Sequence, residues 1–367
     1  MSKVTVLLTC VASQVIPNII SLVKDYRKSD LRIIGIDTKP LSISVGGFLC
    51  DSFYNSPMGN DSGYKNFIYD IVEKERINII FPGSDEEVLA LSDMKTKLVN
   101  DYNCHVVCSP KKITLLAVDK YKMHVELNKN NIPVGKFSDL KVLNDLISFA
   151  NDIGYPGNKF IFKPKIGRGS KGVKIIDGET VDKLDNFITN KQTRMALDDL
   201  IILFEQYPDK LDNFFVMEYF PGDKFSSDVL ISNGDVKSIV IRNNGKQIKA
   251  NPPTQIADIV INDYVKEYTE KICELMKFDY FVQIETGMGI DEKPYFIESN
   301  VRMDATLPIT TGVGINFFHE LIDYALNGTF NNIEVDYDNF RKIRFFRYWD
   351  HVFINSEELH KKQHIEV

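Results

Sequence analysis

The sequence lacks an apolar run long enough to cross a lipid bilayer, because no uninterrupted stretch approaches the ~20 residues that a transmembrane helix requires. Its first residues also lack a charged region followed by an apolar segment and a small-residue cleavage site, and residues 4–8 already have the composition of a strand. We therefore expect a cytosolic (cytoplasmic) protein with neither a secretory signal nor a membrane partner.

Cysteine is scarce, with five residues in the chain. Because the number is small and odd, we expect reduced thiols, as in a cytosolic protein. The segment Cys104-His105-Val106-Val107-Cys108 raises the hypothesis of a metal site. Its alternation and valine content favour a strand instead, with residues 104 and 108 on one face and His105 on the other. No second Cys/His pair lies at zinc-ligand spacing, so we predict buried structural thiols.

The chain also lacks an excess of positive charge. It has 44 Lys and Arg residues against 51 Asp and Glu residues, which gives a formal net charge of −7. This balance argues against a nucleic-acid partner, and no cluster of aromatic and basic residues supports one. With 367 residues, 44% hydrophobic and 26% charged, the composition is that of an ordinary globular protein of about two or three compact units.

The first strand-to-helix turn, residues 8–14, contains no glycine. Nicotinamide dinucleotides need glycines there for the tight turn and for close approach of the pyrophosphate, so a dehydrogenase is not supported. Strand signals nevertheless alternate with helix signals. They predict strands at 4–8, 31–36 and 78–81 and helices at 15–26 and 64–75, in a Rossmann-like α/β unit whose parallel sheet is covered on both faces.

Beyond residue 109 the pattern changes to closely spaced strands. They are predicted at 160–164, 172–176, 214–220, 226–232, 236–242, 280–286 and 294–298, with mostly helical, polar sequence at 179–211. A helix with one apolar face is predicted around residues 265–276. The fold class is therefore α/β followed by α+β with antiparallel sheet, and we divide the chain into domains at 1–109, 110–220 and 221–367.

A glycine-rich loop lies between two predicted strands at residues 167–172. Its three glycines allow backbone N–H groups to approach phosphate oxygens closely, and Lys163 on the preceding strand would add an ammonium group. The alternative is a flexible basic hairpin without a ligand. It is not a Walker loop, because no Gly-Lys-Ser/Thr sequence opens a helix.

Polar residues follow another predicted strand near the carboxyl terminus. Glu298 and Asn300 are two positions apart and face the same way, Gln283 lies on a neighbouring strand, and Arg302 extends the same face. Carboxylate and amide oxygens suit Mg²⁺. The alternative is an edge strand with solvated polar residues, which the core-like run 295–297 argues against. Glu285 could also approach this site.

Together these motifs resemble the ATP-grasp family, over nearly the whole chain. The resemblance includes Lys120, Lys163, the glycine loop, Met217-Glu218-Tyr219-Phe220-Pro221-Gly222 and Ile297-Glu298-Ser299-Asn300-Val301-Arg302. The subgroup that it is most similar to is the carbamoyl-phosphate-synthase-like carboxylate–amine ligases, which include the pyrrolysine-biosynthesis ligase. Residues 81–87 resemble a segment of that subgroup's amino-terminal domain, and residues 347–350 resemble its closing strand.

The resemblance implies an ATP-grasp fold with an amino-terminal Rossmann-like (pre-ATP-grasp) domain, a small lobe and a large lobe. Nucleotide phosphates would be bound by Lys120, Lys163 and the loop residues Gly167, Arg168, Gly169, Ser170 and Gly172. Adenine would lie against Met217, Glu218, Tyr219 and Phe220, with its edge read by backbone groups of Glu218 and Phe220. Gln283, Glu298 and Asn300 would hold Mg²⁺ or Mn²⁺. The catalytic residues would be Arg302 and Lys163, with Arg242 as a weaker candidate.

Several alternatives stay open. Lys120 could be a solvated lysine beside a helix-capping Asp119, and residues 217–220 could be core without further function. The family often has a ribose-binding glutamate where this chain has Lys224, so Asp223 or Asp228 could replace it.

Substrate contacts are predicted where a strand of the first sheet ends. Ser84, Asp85 and Glu86 could bind an amino group there, although a helix-capping turn explains them equally well. The expected substrates are ATP, a small carboxylate and an amine, and a homodimer is expected as the commonest assembly. The rival hypotheses are bicarbonate activation and a regulatory ATP-binding protein that has lost catalysis.

Overall fold

The structure is a computed structural model that describes residues 3–26, 31–167, 171–178, 194–244, 254–331, 333–335, 343–348, 350–355 and 357. The described residues form three β-sheets with flanking helices. In this part of the chain, no helix combines the length and the apolar composition needed to cross a membrane.

The first sheet is parallel, as the alternation of strands and helices predicted. Its five strands have the spatial order β3-β2-β1-β4-β5. They are β1 (Val4–Thr9), β2 (Leu31–Asp37), β3 (Ser52–Asn55), β4 (Ile79–Phe81) and β5 (His105–Val106).

Helices cover both faces of this sheet, because successive residues of its strands point to opposite sides. Leu7 and Ile34 belong to the core formed with α3 and α4, whereas Val6 and Leu8 pack with α1. The helices of this unit are α1 (Ile16–Lys24), α2 (Val45–Leu49), α3 (Tyr64–Glu75) and α4 (Asp85–Tyr102), and a short 3-10 helix spans Leu41–Ile43.

The second sheet has the order β6-β10-β7-β8-β9. Alternate residues of β10 separate its two faces: Phe214 and Val216 pack towards α7 and α8, while Phe215 and Met217 face the other side. The strands are β6 (Phe137–Asp139), β7 (Phe160–Pro164), β8 (Lys174–Ile176), β9 (Arg194–Met195) and β10 (Phe214–Glu218). The helices are α5 (Lys111–Val118), α6 (Lys120–Lys129), α7 (Leu143–Ile153) and α8 (Leu197–Gln206), followed by a 3-10 helix at Pro208–Asn213.

The third sheet has the order β15-β14-β11-β12-β13-β16, and all its pairs are antiparallel, as predicted. Along one face of this sheet the residues change from apolar to polar. The cross-strand pair Leu230 and Phe281 is apolar, and the next pair on that face, Asp228 and Gln283, is polar. Its strands are β11 (Lys224–Ser232), β12 (Asp235–Asn243), β13 (Ile256–Ile259), β14 (Tyr280–Met288), β15 (Pro294–Asn300) and β16 (Ile343–Phe346). Its helices are α9 (Asp263–Met276) and α10 (Phe317–Asn327), with a 3-10 helix at Leu307–Val313.

Helix α10 joins the third sheet to the first. Phe318 lies 6.1 Å from Phe81 between ring centroids, and Tyr26 donates a hydrogen bond of 2.6 Å to Asp323. The first and third sheets therefore share one hydrophobic core.

Some predicted elements differ in extent. Cys104 and Cys108 are buried, as predicted, but the strand between them covers only His105–Val106. The predicted helical stretch at 179–211 contains β9 and α8 in its described part, while 179–193 lie outside the described residues. Strand β13 and helix α10 were not predicted, and the closing strand that the resemblance placed at 347–350 is found immediately before those residues, at β16. The three sheets fall within the ranges 1–109, 110–220 and 221–367, whose status as separate domains stays a prediction.

Candidate active site

A cleft opens between the second and third sheets. It holds about 780 Å³ of space when the volume at its open mouth is counted. The predicted residues that line it are Lys120, Lys163, Gly167, Met217, Glu218, Tyr219, Phe220 and Glu298.

Lys163 reaches the cleft from β7 and is almost completely buried. Its Nζ donates to the backbone oxygen of Ile297 at 2.7 Å and lies 5.2 Å from the centroid of the Phe215 ring. Burial lowers the pKa of this ammonium to about 7, although the charge of Glu298 opposes the shift. A desolvated ammonium of this kind is stabilised by an anionic ligand.

Lys120 is the first residue of α6. Its Nζ donates to the Gly167 carbonyl at 2.5 Å and lies 3.6 Å from Oε2 of Glu298, and the residue is only 9% exposed. The alternative of a solvated lysine is therefore wrong. Asp119 does cap the helix, since its carboxylate accepts from the backbone N–H of Lys122 at 3.0 Å.

The glycine loop borders the cleft at Gly167 and Lys171. Gly172 has φ of 78°, a left-handed conformation that favours glycine and turns the chain back into β8. Arg168, Gly169 and Ser170 lie outside the described residues, so their phosphate contacts stay a prediction.

The predicted adenine-binding segment leaves the sheet where β10 ends. Glu218 forms two hydrogen bonds with the backbone of Lys136. Its N–H donates to the Lys136 carbonyl at 2.8 Å, and its carboxylate accepts from the Lys136 N–H at 3.0 Å. The Phe220 ring stacks on Tyr295 with centroids 4.9 Å apart. Side chains thus hold the segment while Tyr219 and its neighbours face the cleft.

Two carboxylates face each other at the cleft wall formed by the third sheet. Glu285 on β14 pairs in register with Glu298 on β15, so both side chains share one face. Burial, together with the charges of Glu298 and Asp304, raises the pKa of Glu285 to about 8. The two carboxylates fit Mg²⁺ or Mn²⁺, which take further ligands from water and phosphate, and the part of Asn300 in this set stays a prediction.

Gln283 does not fit its predicted role as a metal ligand. Its Nε2 donates to Asp228 at 3.0 Å and lies 3.2 Å from the Thr306 hydroxyl, and its Oε1 accepts from Nδ2 of Asn300 at 3.1 Å. Both ends of the amide are therefore engaged away from the cleft. Gln283 instead fixes the orientation of Asn300, whose Oδ1 is left pointing towards Arg302 at 3.5 Å.

Arg242 and Asp228 are not brought into the cleft either. They form an ion pair in which both side chains are buried, and Arg242 also donates to the Thr306 hydroxyl at 2.6 Å. The guanidinium is 1% exposed and does not line the cleft, so its predicted contact with a substrate or phosphate stays a prediction. Asp228, with no exposed surface, does not line the cleft either.

The second predicted ribose ligand is also outside the cleft. Asp223 is exposed at the surface and accepts a hydrogen bond of 2.8 Å from Asn243. Lys224, by contrast, does line the cleft. Neither predicted acid lines the cleft, and their contact with ribose stays a prediction.

Ser84, Asp85 and Glu86 lie where β4 ends and α4 begins. Ser84 caps the helix, since its hydroxyl accepts from the Glu87 N–H at 3.2 Å, which supports the capping alternative for this residue. Asp85 does not line the cleft but contacts Arg302, with Oδ1 2.7 Å from Nε. Glu86 is half-buried in the first turn of α4, and its contact with a substrate stays a prediction.

The principal residue that sequence reasoning misjudged is Glu285. It lies two positions after Gln283 on the same strand, so periodicity assigns both to one face. The available signal was chemical, because a carboxylate is a better Mg²⁺ ligand than an amide. The sequence did not show how far from the cleft each residue lies along its strand.

Two family models match the chain. The one described as "PylC-like, N-terminal domain" matches residues 6–107, and the one described as "ATP-grasp in the biosynthetic pathway with Ter operon" matches residues 210–343.

Solved structures share the fold. The biotin carboxylase domain of Hydrogenobacter thermophilus 2-oxoglutarate carboxylase, solved with MgADP, ADP and bicarbonate, has a TM-score of 0.66 at 16% identity, over 89% of this chain and 70% of that chain. For N5-carboxyaminoimidazole synthetase from Staphylococcus aureus with ADP, the values are 0.66 and 14%, over 90% and 79%. For the L-amino acid ligase from Bacillus licheniformis they are 0.63 and 14%, over 89% and 75%. The motifs, the arrangement of the three sheets and both family models agree: the chain has the ATP-grasp fold, with an amino-terminal region that matches the PylC-like domain model.

Proposed function

We propose that this protein is an ATP- and Mg²⁺-dependent ligase that activates a small-molecule carboxylate as an acyl phosphate for attack by an amine. The observation that carries the proposal is the pair Glu285 and Glu298, two carboxylates that face the same cleft as Lys163. Like charges placed together are costly unless a cation joins them, and such sites are typically functional.

Nucleotide binding is supported by the distribution of charge in the cleft. Lys120, Lys163 and Lys171 line the same cleft as the two carboxylates, and Nζ of Lys120 lies 3.6 Å from Oε2 of Glu298. This arrangement suits a polyphosphate that is held both by ammonium groups and by a carboxylate-bound metal ion. The S. aureus and H. thermophilus proteins were solved with ADP or MgADP.

The proposed reaction has two steps. A substrate carboxylate oxygen attacks the γ-phosphorus, the bond to the β–γ bridging oxygen breaks, and ADP leaves. The amine nitrogen then attacks the acyl carbon, inorganic phosphate leaves, and the nitrogen loses a proton to give the amide. When bound, Mg²⁺ supplies charge neutralisation on the phosphates.

The chain's own contribution is positioning and charge. Lys163 and Lys120 would orient the phosphates, and their low exposure would make each contact stronger than it is in water. Arg302, at 11% side-chain exposure, would stabilise the transferred phosphoryl group. Closure of the 167–172 loop, which would exclude water from the acyl phosphate, stays a prediction.

The test is ADP release in the presence of ATP, Mg²⁺ and pools of carboxylates and amines. We expect release that requires both an acid and an amine and that stops when EDTA removes the divalent ion. Saturable ATP binding without turnover across the screen would instead favour a regulatory nucleotide-binding protein.

Bicarbonate activation is a second candidate. It is favoured by the fold shared with the H. thermophilus domain, which was solved with bicarbonate, and with N5-carboxyaminoimidazole synthetase. ADP release that needs bicarbonate in CO₂-depleted buffer, and no other acid, would replace the amide-forming proposal with this one.

A further inference from the structure

One ion pair joins the amino-terminal domain to Arg302, which contacts Asn300 beside the cleft and is not among the residues that line it. Asp85 is the first residue of α4, at the carboxyl end of β4, and Arg302 follows β15 of the third sheet. Oδ1 of Asp85 lies 2.7 Å from Nε of Arg302, and the two side chains are only 13% and 11% exposed. A charge-assisted hydrogen bond at this burial is strong and poorly screened.

A second contact holds the same two segments together. The backbone N–H of Met303 donates to the Pro82 carbonyl at 3.0 Å. The turn after β4 and the turn after β15 are therefore joined at two points, which fixes the position of the Arg302 backbone as well as its side chain.

The other contacts of Arg302 are longer. Nη1 lies 3.3 Å from the Met303 carbonyl and 3.8 Å from Asp304, and Nη2 lies 3.5 Å from Oδ1 of Asn300. Although burial opposes it, the charges of Asp85 and Asp304 raise the pKa of Arg302. The shortest contact of the Arg302 guanidinium is thus with Asp85 of the amino-terminal domain. This contact engages Nε, whereas the two Nη groups make the longer contacts.

A purely local role for Asp85 would be to stabilise the amino terminus of α4 through the helix dipole. The chain contains a matched example of that role. Asp263 is the first residue of α9 and follows the capping residue Asn262, as Asp85 follows the capping Ser84. Replacing Asp263 removes an acid from a helix terminus without touching Arg302, which makes it the control.

We propose that Asp85 is a positioning residue for Arg302, through which the amino-terminal domain orients the guanidinium that acts on the transferred phosphoryl group. The proposal rests on the ligase function above. It assigns Asp85 to Arg302 and not to a substrate amino group. A guanidinium released from Nε would rotate away from its productive orientation while the nucleotide side of the cleft stays intact.

The kinetic test compares Asp85→Ala and Asp85→Asn with Asp263→Ala. We expect kcat to fall about 100-fold in Asp85→Ala, the usual consequence of a misplaced catalytic group, with the KM for ATP unchanged. Asp85→Asn keeps a neutral acceptor for Nε and should lose less. Asp263→Ala should keep the wild-type kcat. Equal kcat values for Asp85→Ala and Asp263→Ala would overturn the proposal, and so would a change confined to the KM for ATP.

A spectroscopic test does not depend on turnover. The ¹⁵N-labelled Nε–H signal of Arg302, assigned by its loss in Arg302→Lys, should exchange slowly with solvent in the wild-type protein. It should exchange faster in Asp85→Ala and stay slow in Asp263→Ala. Unchanged exchange in Asp85→Ala would refute the positioning role. If the wild-type protein releases no ADP with any substrate, the ligase proposal fails, while this measurement still decides whether Asp85 holds Arg302.

Discussion

Two groups of acidic side chains lie on the same face of the third sheet, and they differ in what surrounds them. Glu285 and Glu298 face each other at the cleft, and the ion-pair contact of Glu298 is Lys120 at 3.6 Å. Asp228, deeper in the sheet, is paired with Arg242 and accepts from Gln283. The charge of the first group is opposed by a lysine at 3.6 Å, whereas both oxygens of Asp228 have hydrogen-bond partners, although the buried Nε of Arg242 has none in the described part of the chain.

The difference separates function from structure. A buried carboxylate that already has a guanidinium and an amide partner has little capacity left for a ligand. Two carboxylates placed together without a guanidinium need a cation from solution, and this need is a physical signature of a binding site. Position in the sequence relative to Glu298 and Asn300 was therefore a poorer guide to the site than charge compensation.

The largest expected effect concerns the cleft pair. Glu298→Gln keeps the size of the side chain but removes a charged oxygen, so kcat should fall by about 10³-fold while the protein stays folded. Steady-state ADP release measures this loss, and circular dichroism monitors the fold. Glu274→Gln, on the exposed face of α9, is the control and should keep full activity. Retained turnover in Glu298→Gln would show that the cleft pair is not the metal site.

Substitution of Asp228 should change the stability of the fold. Asp228→Ala leaves Arg242 buried without its carboxylate, and we expect the free energy of unfolding to fall by about 3–5 kcal/mol. Urea unfolding measures the change. The double variant Asp228→Ala/Arg242→Ala should recover part of the loss, because it removes the unpaired charge. A loss below about 1 kcal/mol in the single variant would contradict the assigned structural role.

A third buried titratable group, the imidazole of His124, is held in its neutral form. His124 packs among the rings of Phe137, Phe215 and Phe296, and burial, with a smaller effect from Lys163, lowers its pKa from 6.5 to about 3. The unfolded chain therefore takes up the proton first as pH falls. Stability should be complete above pH 6.5 and should decrease between pH 6.5 and 3 by about 1.4 kcal/mol per pH unit from this residue.

Urea unfolding at pH 7.5 and 5.5 tests the contribution of His124. His124→Gln cannot take up this proton, so its stability should decline less than that of the wild-type protein over the same interval. Equal declines in the two proteins would mean that His124 is not held neutral by the fold.

The smallest expected effect is a gain. At pH 9, above the pKa of about 8 of Glu285, Glu285→Gln relieves the charge repulsion from Glu298, so in EDTA the free energy of unfolding should rise by about 1 kcal/mol even though turnover is lost. Added Mg²⁺ should raise the melting temperature of the wild-type protein and leave that of Glu285→Gln nearly unchanged. Differential scanning fluorimetry with and without Mg²⁺ checks both statements. An equal Mg²⁺ response in both proteins would place the ion elsewhere.

The elements that could be predicted are those with a strong local period. Tyr64–Glu75 has the same bounds in the prediction and in the structure, because its apolar residues recur on one helical face. Phe160–Pro164 likewise matches, since Phe160 and Phe162 alternate with Ile161 and Lys163. Strand β13 escaped prediction because a strand of four residues carries too little pattern, and for the same reason the closing strand was placed at 347–350 and not at β16.

The candidate site also contains some residues whose positions could be predicted and others whose positions could not. Lys120, Lys163, Glu298 and the segment 217–220 were predicted and lie together at the cleft. Gln283, Arg242 and Asp228 were predicted for the same site but lie deeper, in hydrogen bonds with one another and with Thr306. Lys224 was recognised as a departure, yet its place in the cleft came only from the structure.

The sequence alone determined which residues share a strand face, because the side-chain period of two is a local property of the backbone. It also determined which chemical groups are available near each predicted strand end. Only the tertiary structure decided that Glu285 reaches the cleft while Gln283 does not, and that Asp85 holds Arg302 across 217 positions of sequence. Depth and partnership depend on strand register and on the packing of distant segments, and neither quantity is encoded in the spacing of neighbouring residues.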